Sequence, residues 1–347
     1  MKQMINDFIH MSKYAGERED LVQAGGGNSS VKLNASEMLI KTSGIHLSDM
    51  SIGKGYSRID YSYLRNALKD SSIDSDSERE LLQACLLEGN RPSIETFLHA
   101  LTRKYTLHTH PLAVSILVTR KDGFKELRGL FPDALFVDYA TPGVKLAELF
   151  CSEYNNYSAE NQIEVIFLKN HGLIVSADIA DAVVSETENV LKKIESYLSL
   201  DMGGYHAAYT IHEEFCKAGE YEGIIYLVKD KDVAKNLGAF KKRNYEFWVS
   251  PDSIVFCGKR ALIIERDVDK ALIKKHRAMY GEPVIIIYQK DVYINAPNMK
   301  KAKEIECVLS YTMQIVVGSN YELIDYLGDT EQNFLLNWDS EKYRKNL

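Results

Sequence analysis

Cysteine is sparse in this sequence, and its spacing suggests no disulfide pairs. The five cysteines are an odd number spread over 347 residues, and no Cys-x-x-Cys motif occurs. A disulfide framework would need an even and closely spaced set, so the pattern is typical of free thiols in a reducing compartment. These cysteines are Cys85, Cys151, Cys216, Cys257 and Cys307.

Apolar runs long enough to cross a membrane are lacking as well. A membrane helix needs about 20 consecutive apolar residues, and no stretch of the chain approaches that length. The start of the chain, MKQMINDFIHMSKYAGERED, carries charges where a signal peptide has its apolar run. We therefore expect a cytoplasmic protein that makes no contact with a membrane.

A surplus of basic residues is the third absence. The chain has 42 lysines and arginines against 49 aspartates and glutamates, which gives a net charge of -7. Proteins that bind nucleic acids usually carry a basic surplus, so we expect no nucleic-acid partner. The apolar content of 45% and the charged content of 26% are typical of a globular protein.

The length of 347 residues predicts two domains, because a single hydrophobic core stops growing before this size. A change of composition at Asp-Met-Gly-Gly, residues 201–204, predicts the boundary. We expect a first domain over residues 1–204 and a smaller α/β domain over residues 205–347. In the second domain the strand candidates are residues 253–265 and 283–295, and the helix candidates are residues 212–220, 268–280 and 299–317.

Three histidines stand in positions that could serve a metal ion. His108 and His110 are two positions apart in a segment with strand-like composition, so their side chains should point to the same side. His171 stands in an Asn-His-Gly turn between two strand candidates. Three histidines that leave a fourth position open are typical of catalytic zinc. A single histidine in a strand is usually a core residue, so the spacing alone leaves both interpretations open.

Glu95 lies in the first turn of a predicted helix that Ser93 would cap. It could simply interact with the helix dipole, or pair with His99 one turn later. It could also act as a general base beside a metal ion. Taken alone, the residue slightly favours one of the two structural roles.

Two loops rich in small residues precede this region. GGGNSS at residues 25–30 offers free backbone N–H groups and hydroxyls, which suit a phosphate. It matches neither the Walker A motif nor the dinucleotide fingerprint. Such a turn between two strands is usually only a turn. However, Thr-Ser-Gly at residues 42–44 repeats the format of a strand followed by a hydroxyl-rich turn, so an anion site remains a hypothesis.

Taken in order, these motifs resemble the class II aldolase/adducin family. The matching stretches are GGGN at 25–28, TSG at 42–44, PSIE at 92–95, HTH at 108–110 and NHG at 170–172. They are most similar to the aldolase half of rhamnulose-1-phosphate aldolase/alcohol dehydrogenase proteins, whose dehydrogenase half is not represented in these 347 residues. The resemblance implies a three-layer α/β/α domain with a central, mostly antiparallel sheet, plus a smaller C-terminal α/β domain.

The resemblance also implies roles for individual residues. Glu95 would be the catalytic acid/base of a zinc-dependent aldolase, with another divalent metal as the alternative cofactor. That enzyme would cleave a ketose phosphate to dihydroxyacetone phosphate and an aldehyde through a metal-stabilised enediolate. The resemblance further implies a homotetramer. The metal ligands would be His108, His110 and His171, and the phosphate would be bound by Asn28, Ser29, Ser43, Gly44 and Ser93.

Other activities within the family remain alternatives. The 4-epimerases usually carry aspartate at the position of Glu95, so glutamate favours an aldolase or a dehydratase. Adducin-type members, which only mediate assembly, lack the metal histidines. One departure concerns the proton donor: fuculose-phosphate aldolases use a tyrosine in the segment that here reads KDGFKELRGLF and contains none. Tyr139 is a weak substitute, and the substrate and the role of the C-terminal domain stay unassigned.

Overall fold

The computed structural model describes residues 1–68, 77–155, 157, 163–241, 246, 248–320 and 322–337. Their contacts divide the chain into two compact units, Met1–Asp201 and Met202–Leu347. The polar sequence DSSIDSDSERE predicts a loop over residues 70–80, and most of these residues lie outside the described ones, as do most of residues 337–344, NWDSEKYR. Within the described part of the chain, no helix is long and apolar enough to cross a membrane.

The first unit is built on an eight-stranded sheet. Its strands are β1 (Asn28–Lys32), β2 (Glu37–Lys41), β3 (Tyr56–Asp60), β4 (Leu86–Glu88), β5 (Tyr105–Thr109), β6 (Leu135–Val137), β7 (Ile163–Leu168) and β8 (Gly172–Ala177). They lie in the order β4-β3-β2-β1-β5-β8-β7-β6. The described strand pairs run antiparallel, except that β6 and β7 run parallel. The predicted mostly antiparallel sheet is thus confirmed.

Helices pack in two groups against this sheet. They are α1 (Lys2–Gly16), α2 (Tyr61–Ala67), α3 (Ser77–Ala84), α4 (Thr96–Leu101), α5 (Leu112–Thr119), α6 (Gly123–Leu130), α7 (Val144–Asn155) and α8 (Ala180–Leu198). One group joins α2, α4 and α7, and another joins α1, α5 and α8. The first group covers a sheet face lined by Met38, Ile40, Ile166 and Ile174, and Phe97 and Phe150 are buried there. This arrangement confirms the predicted α/β/α layers.

The second unit is a smaller α/β arrangement around a four-stranded sheet. Its strands are β9 (Ile224–Leu227), β10 (Leu262–Ile264), β11 (Ile285–Tyr288) and β12 (Asp291–Ala296), in the order β10-β11-β12-β9. Its helices are α9 (Gly203–Ala218), α10 (Lys231–Lys241), α11 (Pro251–Cys257), α12 (Lys270–Tyr280), α13 (Met299–Gly318) and α14 (Asp329–Asn337). The two glycines of the predicted linker, Gly203 and Gly204, begin α9.

The predicted strand over residues 253–265 is wrong in its first half. Residues 251–257 form helix α11, and only Leu262–Ile264 is extended. The helix begins at a capping box, in which the Ser250 side chain accepts from Ser253 N and the Ser253 side chain bonds back to Ser250 N. Pro251 occupies the first helical position, which suits its fixed φ. A short apolar run fits either structure, and here the cap selects the helix.

Two glycines of α6 provide a matched test of how that helix packs within the first unit. A Cβ added to Gly123 would lie 1.7 Å from the Leu117 carbonyl oxygen, whereas one added to Gly129 would meet nothing within 4 Å. We expect Gly123→Ala to lower the free energy of unfolding by about 1–3 kcal/mol, because backbone must move. Gly129→Ala should raise it by about 0.5–1 kcal/mol, because alanine has the higher helix propensity. Urea titrations of both variants measure these changes, and equal effects would contradict the described packing.

Candidate metal centre

The end of β5 brings two histidine side chains together. β5 lies between β1 and β8, where His108 is opposite Asn28 on one side and Ile174 on the other. His110 follows the last residue of the strand, and its N–H donates to the Leu21 carbonyl oxygen at 2.8 Å. The Nε2 atoms of His108 and His110 are 3.0 Å apart. The two rings therefore lie on one side of the chain, as their spacing predicts.

His171 reaches the same place from the turn between β7 and β8. Asn170 supplies the left-handed backbone conformation of that turn, with φ of 54°, a conformation that asparagine tolerates better than most residues. The ring centroid of His171 lies 4.8 Å from that of His108 and 5.2 Å from that of His110. Residues about sixty positions apart thus form one group of three imidazoles.

Glu95 completes the group from the position just before α4. Its side chain is buried, with the residue only 9% exposed. Oε1 lies 2.9 Å from His171 Nε2 and 3.3 Å from His108 Nε2, and Oε2 accepts from the Asn28 side-chain amide. One potential ligand atom from each of Glu95, His108, His110 and His171 lies within 4.8 Å of the other three.

The charges of this group are strongly coupled. Burial alone would raise the pKa of Glu95, but His108 and His171 lower it well below its ordinary value. Burial would lower the pKa of His108, but Glu95 raises it. For His110, burial and the neighbouring His108 and His171 lower the pKa to about 3. Glu95 is therefore a carboxylate, and the Nε2 atom of neutral His110 faces the group.

The donor atoms suit a divalent cation. His108 Nδ1 lies 3.0 Å from the Leu173 carbonyl oxygen; since a carbonyl only accepts, the Nδ1–H donates to it. In the neutral ring this leaves the Nε2 lone pair facing His110. The Nε2 atoms of His108 and His110 are 3.0 Å apart, so they share either a proton or a cation, because two facing lone pairs would repel. Three nitrogens and a carboxylate oxygen are a ligand set that zinc and related metals prefer, so this cluster could hold such an ion.

Glycines leave room for the ring of His110. A Cβ on Gly26 would lie 3.3 Å from His110 Nδ1, and one on Gly172 would lie 2.9 Å from His110 Cδ2. The Gly172 Cβ would also come within 2.3 Å of the Thr109 carbonyl oxygen. Part of the glycine loop at residues 25–27 thus accommodates a histidine side chain, a role that its sequence does not reveal. The sequence predicts a strand on each side of this loop. The strand before it is not formed, because residues 17–27 form turns and irregular structure.

Two of the predicted anion-binding side chains lie beside Glu95. The Asn28 amide donates to Ser93 Oγ at 2.9 Å as well as to Glu95, and Ser93 Oγ also accepts from Glu95 N at 3.3 Å. The turn at residues 42–44 adjoins the same segment through a bridge between Thr42 and Pro92. Its Ser43 and Gly44 are both exposed.

The side chain of Ser29 does not join this group. It lies on the opposite face of β1, where its Oγ is 2.7 Å from Ser12 Oγ of α1. The reason is the alternation of side chains along a strand, which turns Asn28 toward Glu95 and therefore turns Ser29 away. The prediction that Ser29 helps to bind an anion therefore needs correction: its hydroxyl points away from Glu95, and only its backbone could contribute.

Lys41 is a residue near the site that the sequence reasoning missed. It ends β2, is only 2% exposed, and donates from Nζ to the carbonyl oxygens of Gly25 at 3.2 Å and Ile45 at 2.8 Å. Burial lowers its pKa, which the charge of Glu95 partly offsets. The apolar residues before it in EMLIK indicate a buried strand. A lysine at the end of such a strand is unusual, and this could have marked Lys41 as a functional candidate.

Tyr139, the weak candidate for a proton donor, follows β6 and is 61% exposed. It belongs to the same connection as Gly143, where an added Cβ would lie 3.3 Å from Ile94 Cδ1. The connection thus reaches the residue before Glu95. The described contacts of the site do not include the Tyr139 side chain.

Comparison with known proteins agrees with this architecture. A family model described as the class II aldolase and adducin N-terminal domain matches residues 6–198. The class II aldolase domain of a conserved protein from Thermoplasma acidophilum is 23% identical with a TM-score of 0.50, over 56% of this chain and 93% of that chain. At this identity the likeness shows a shared fold.

Two further solved structures are more distant. A sugar-phosphate aldolase from Thermotoga maritima is 16% identical with a TM-score of 0.43, over 57% of this chain and 95% of that chain. An L-fuculose-1-phosphate aldolase from Thermus thermophilus is 15% identical with a TM-score of 0.38, over 57% of this chain and 96% of that chain. No protein of curated function matches the chain. Because the family model covers more than half of the sequence, the chain belongs to the class II aldolase and adducin family.

Proposed function

We propose that this protein is a zinc-dependent aldolase that cleaves a ketose phosphate to dihydroxyacetone phosphate and an aldehyde. The observation that carries this proposal is the convergence of the Nε2 atoms of His108 and His171 on the Glu95 carboxylate, with His110 beside them. The family provides the reaction class, and these contacts provide the residues for it.

The three histidines would hold the metal ion. His108 has its Nδ1 proton committed to a backbone carbonyl, which keeps Nε2 available as a ligand. Burial and its neighbours hold His110 neutral, the form that binds metals. When bound, zinc would act as a Lewis acid that polarises a substrate carbonyl.

Glu95 would move the proton. A general base must lie within hydrogen-bond reach of the reacting group, and Glu95 Oε1 already lies 2.9 Å from one of the proposed metal ligands. Oε2 is held by Asn28, so one oxygen is anchored while the other faces the reacting centre. The carboxylate is ionised, since the histidines lower its pKa. In this ionised form it can accept a proton from the carbon next to the carbonyl.

The phosphate would be bound by Asn28, Ser43, Gly44 and Ser93, with Ser29 contributing only backbone. Lys41 adds a buried positive charge behind this group, because its ammonium bonds carbonyl oxygens from both flanking loops. A buried ammonium without a paired carboxylate is costly unless an anion compensates it. A phosphate between the two loops would provide that compensation.

A dehydratase or a 4-epimerase would use the same residues, so the products must separate these reactions. A coupled assay that detects dihydroxyacetone phosphate, run over a panel of ketose 1-phosphates, reports cleavage directly. A catalytically silent, adducin-like module would have no use for the four converging ligand atoms. It would show neither cleavage nor stoichiometric metal.

Replacing Glu95 tests its role as the base. We expect Glu95→Gln to lower kcat by about 100- to 10,000-fold, because the amide cannot accept the proton. The metal content should stay at the wild-type level, since the three histidines remain. The control is Glu88→Gln, which alters an exposed carboxylate of β4. Steady-state kinetics and metal analysis measure both effects, and an active Glu95→Gln enzyme would show that another residue is the base.

Metal retention tests the ligand assignment. We expect His108→Ala to lose most of its metal, because removing one of three protein ligands opens the site. His46→Ala, which alters an exposed histidine of the same unit, should retain it. Mass spectrometry of the purified proteins for zinc and other divalent metals gives the stoichiometry. A wild-type protein without any divalent metal would contradict the proposed function as a whole.

A further inference from the structure

Helix α4 is joined to β1 by two polar bridges. Asn28 and Ser30 stand two residues apart on one face of β1, and His99 of α4 follows Glu95, the residue before the helix, by four positions. The Asn28 amide donates to Glu95 Oε2, and Ser30 Oγ lies 2.8 Å from His99 Nδ1. Two residues of a strand span about 6.8 Å and four residues of a helix about 6 Å. The two bridges are therefore in register.

The second bridge lies in a fully buried setting. His99 and Ser30 are both 0% exposed. The other ring nitrogen of His99, Nε2, has no hydrogen-bond partner among the described residues. Leaving a buried polar atom without a partner costs free energy, and an apolar side chain of similar volume would avoid that cost. Stability alone therefore does not explain a histidine at this position. A directed hydrogen bond to Ser30 does explain it.

We propose that His99 and Ser30 are positioning residues that aim the carboxylate of Glu95 at His108 and His171. This inference rests on the proposed function, in which Glu95 is the acid/base. The bridge sets the rotation of α4 about its axis and its register on β1. Neither residue touches the reacting atoms.

The geometry of α4 makes a second anchor necessary. The helix has six residues, and Glu95 lies directly before the first of them. The orientation of the Glu95 side chain therefore follows that of the first turn of the helix. The N–H groups of Leu98 and His99 both bond the Glu95 carbonyl oxygen, at 3.0 and 3.4 Å. His99 is therefore linked directly to the backbone of Glu95. Apolar packing of Phe97 holds the helix against the sheet, but such packing has no preferred direction.

Two substitutions of His99 separate positioning from packing. His99→Leu removes the polar bridge and keeps a buried side chain. His99→Asn places an amide near the former Nδ1, where it can bond the Ser30 hydroxyl. We expect His99→Leu to lower kcat by about 10- to 100-fold, as misplacement of a catalytic group does, with KM within about twofold of wild type. Metal content should be unchanged, and His99→Asn should restore most of kcat.

Ser30→Ala should reproduce the loss, and combining it with His99→Leu should add little, because both remove one interaction. Thr187→Val is the matched control: it removes a buried hydroxyl that bonds the Val183 carbonyl oxygen in α8, away from the site. It should change stability but not kcat. A kcat for His99→Leu equal to that of wild type would overturn the inference, as would a kcat for His99→Asn as low as that of His99→Leu.

Crystal structures of the full-length variants give a readout that needs no substrate. In His99→Leu the Glu95 carboxylate should move away from His171 Nε2, and in His99→Asn it should stay. If it stays in both, the positioning inference fails. If the wild-type protein cleaves no ketose 1-phosphate but the carboxylate moves as expected, the proposed function fails and the positioning inference stands.

Discussion

The contact between a buried carboxylate and two imidazoles organises the first unit, Met1–Asp201. Glu95 stands before a helix, His108 within a central strand and His171 in a turn, and their polar atoms meet at 2.9 and 3.3 Å. Removing one partner of a buried charged pair leaves the other uncompensated, at a cost of about 3–5 kcal/mol. The order of β1, β5 and β8 in the sheet, and the position of α4 above them, are therefore constrained by the charges they bring together.

The sequence predicted those parts of the site that depend on local spacing. His108 and His110 share a side because strand residues alternate, and the Asn-His-Gly turn places His171 next to them. The same alternation explains the error at Ser29: a one-residue difference reverses a side chain, so Asn28 and Ser29 cannot both face Glu95. A motif of adjacent polar residues identifies the segment that lies at the site. The strand register decides which of these side chains faces Glu95.

The parts that escaped prediction depend on contacts between distant segments. Lys41 matters because it bonds Gly25 and Ile45, and nothing in EMLIK states which loops will flank it. A pair of Glu95 with His99 is one interpretation that the sequence allows, yet the ring of His99 contacts Ser30 of β1 instead. In the second unit, the apolar run SIVF suits either a strand or a helix, and the capping box before it selects the helix. Composition identifies such residues only after the fold brings their partners near.

The sheet face beneath α4 shows why polar groups can determine orientation there. Most of that face is apolar, with Met38 and Ile40 on β2 and Ile166 on β7. A polar row crosses it where Ser30 of β1, Thr106 of β5 and Ser176 of β8 lie opposite one another. Thr106 Oγ1 lies 2.9 Å from Ser176 Oγ, so these hydroxyls satisfy each other while Ser30 turns to the helix. Apolar burial supplies the stability and the low dielectric, in which a single hydrogen bond is stronger than in water. A short helix on such a face is oriented by its few polar contacts, and two of them here hold the residue that would move the proton.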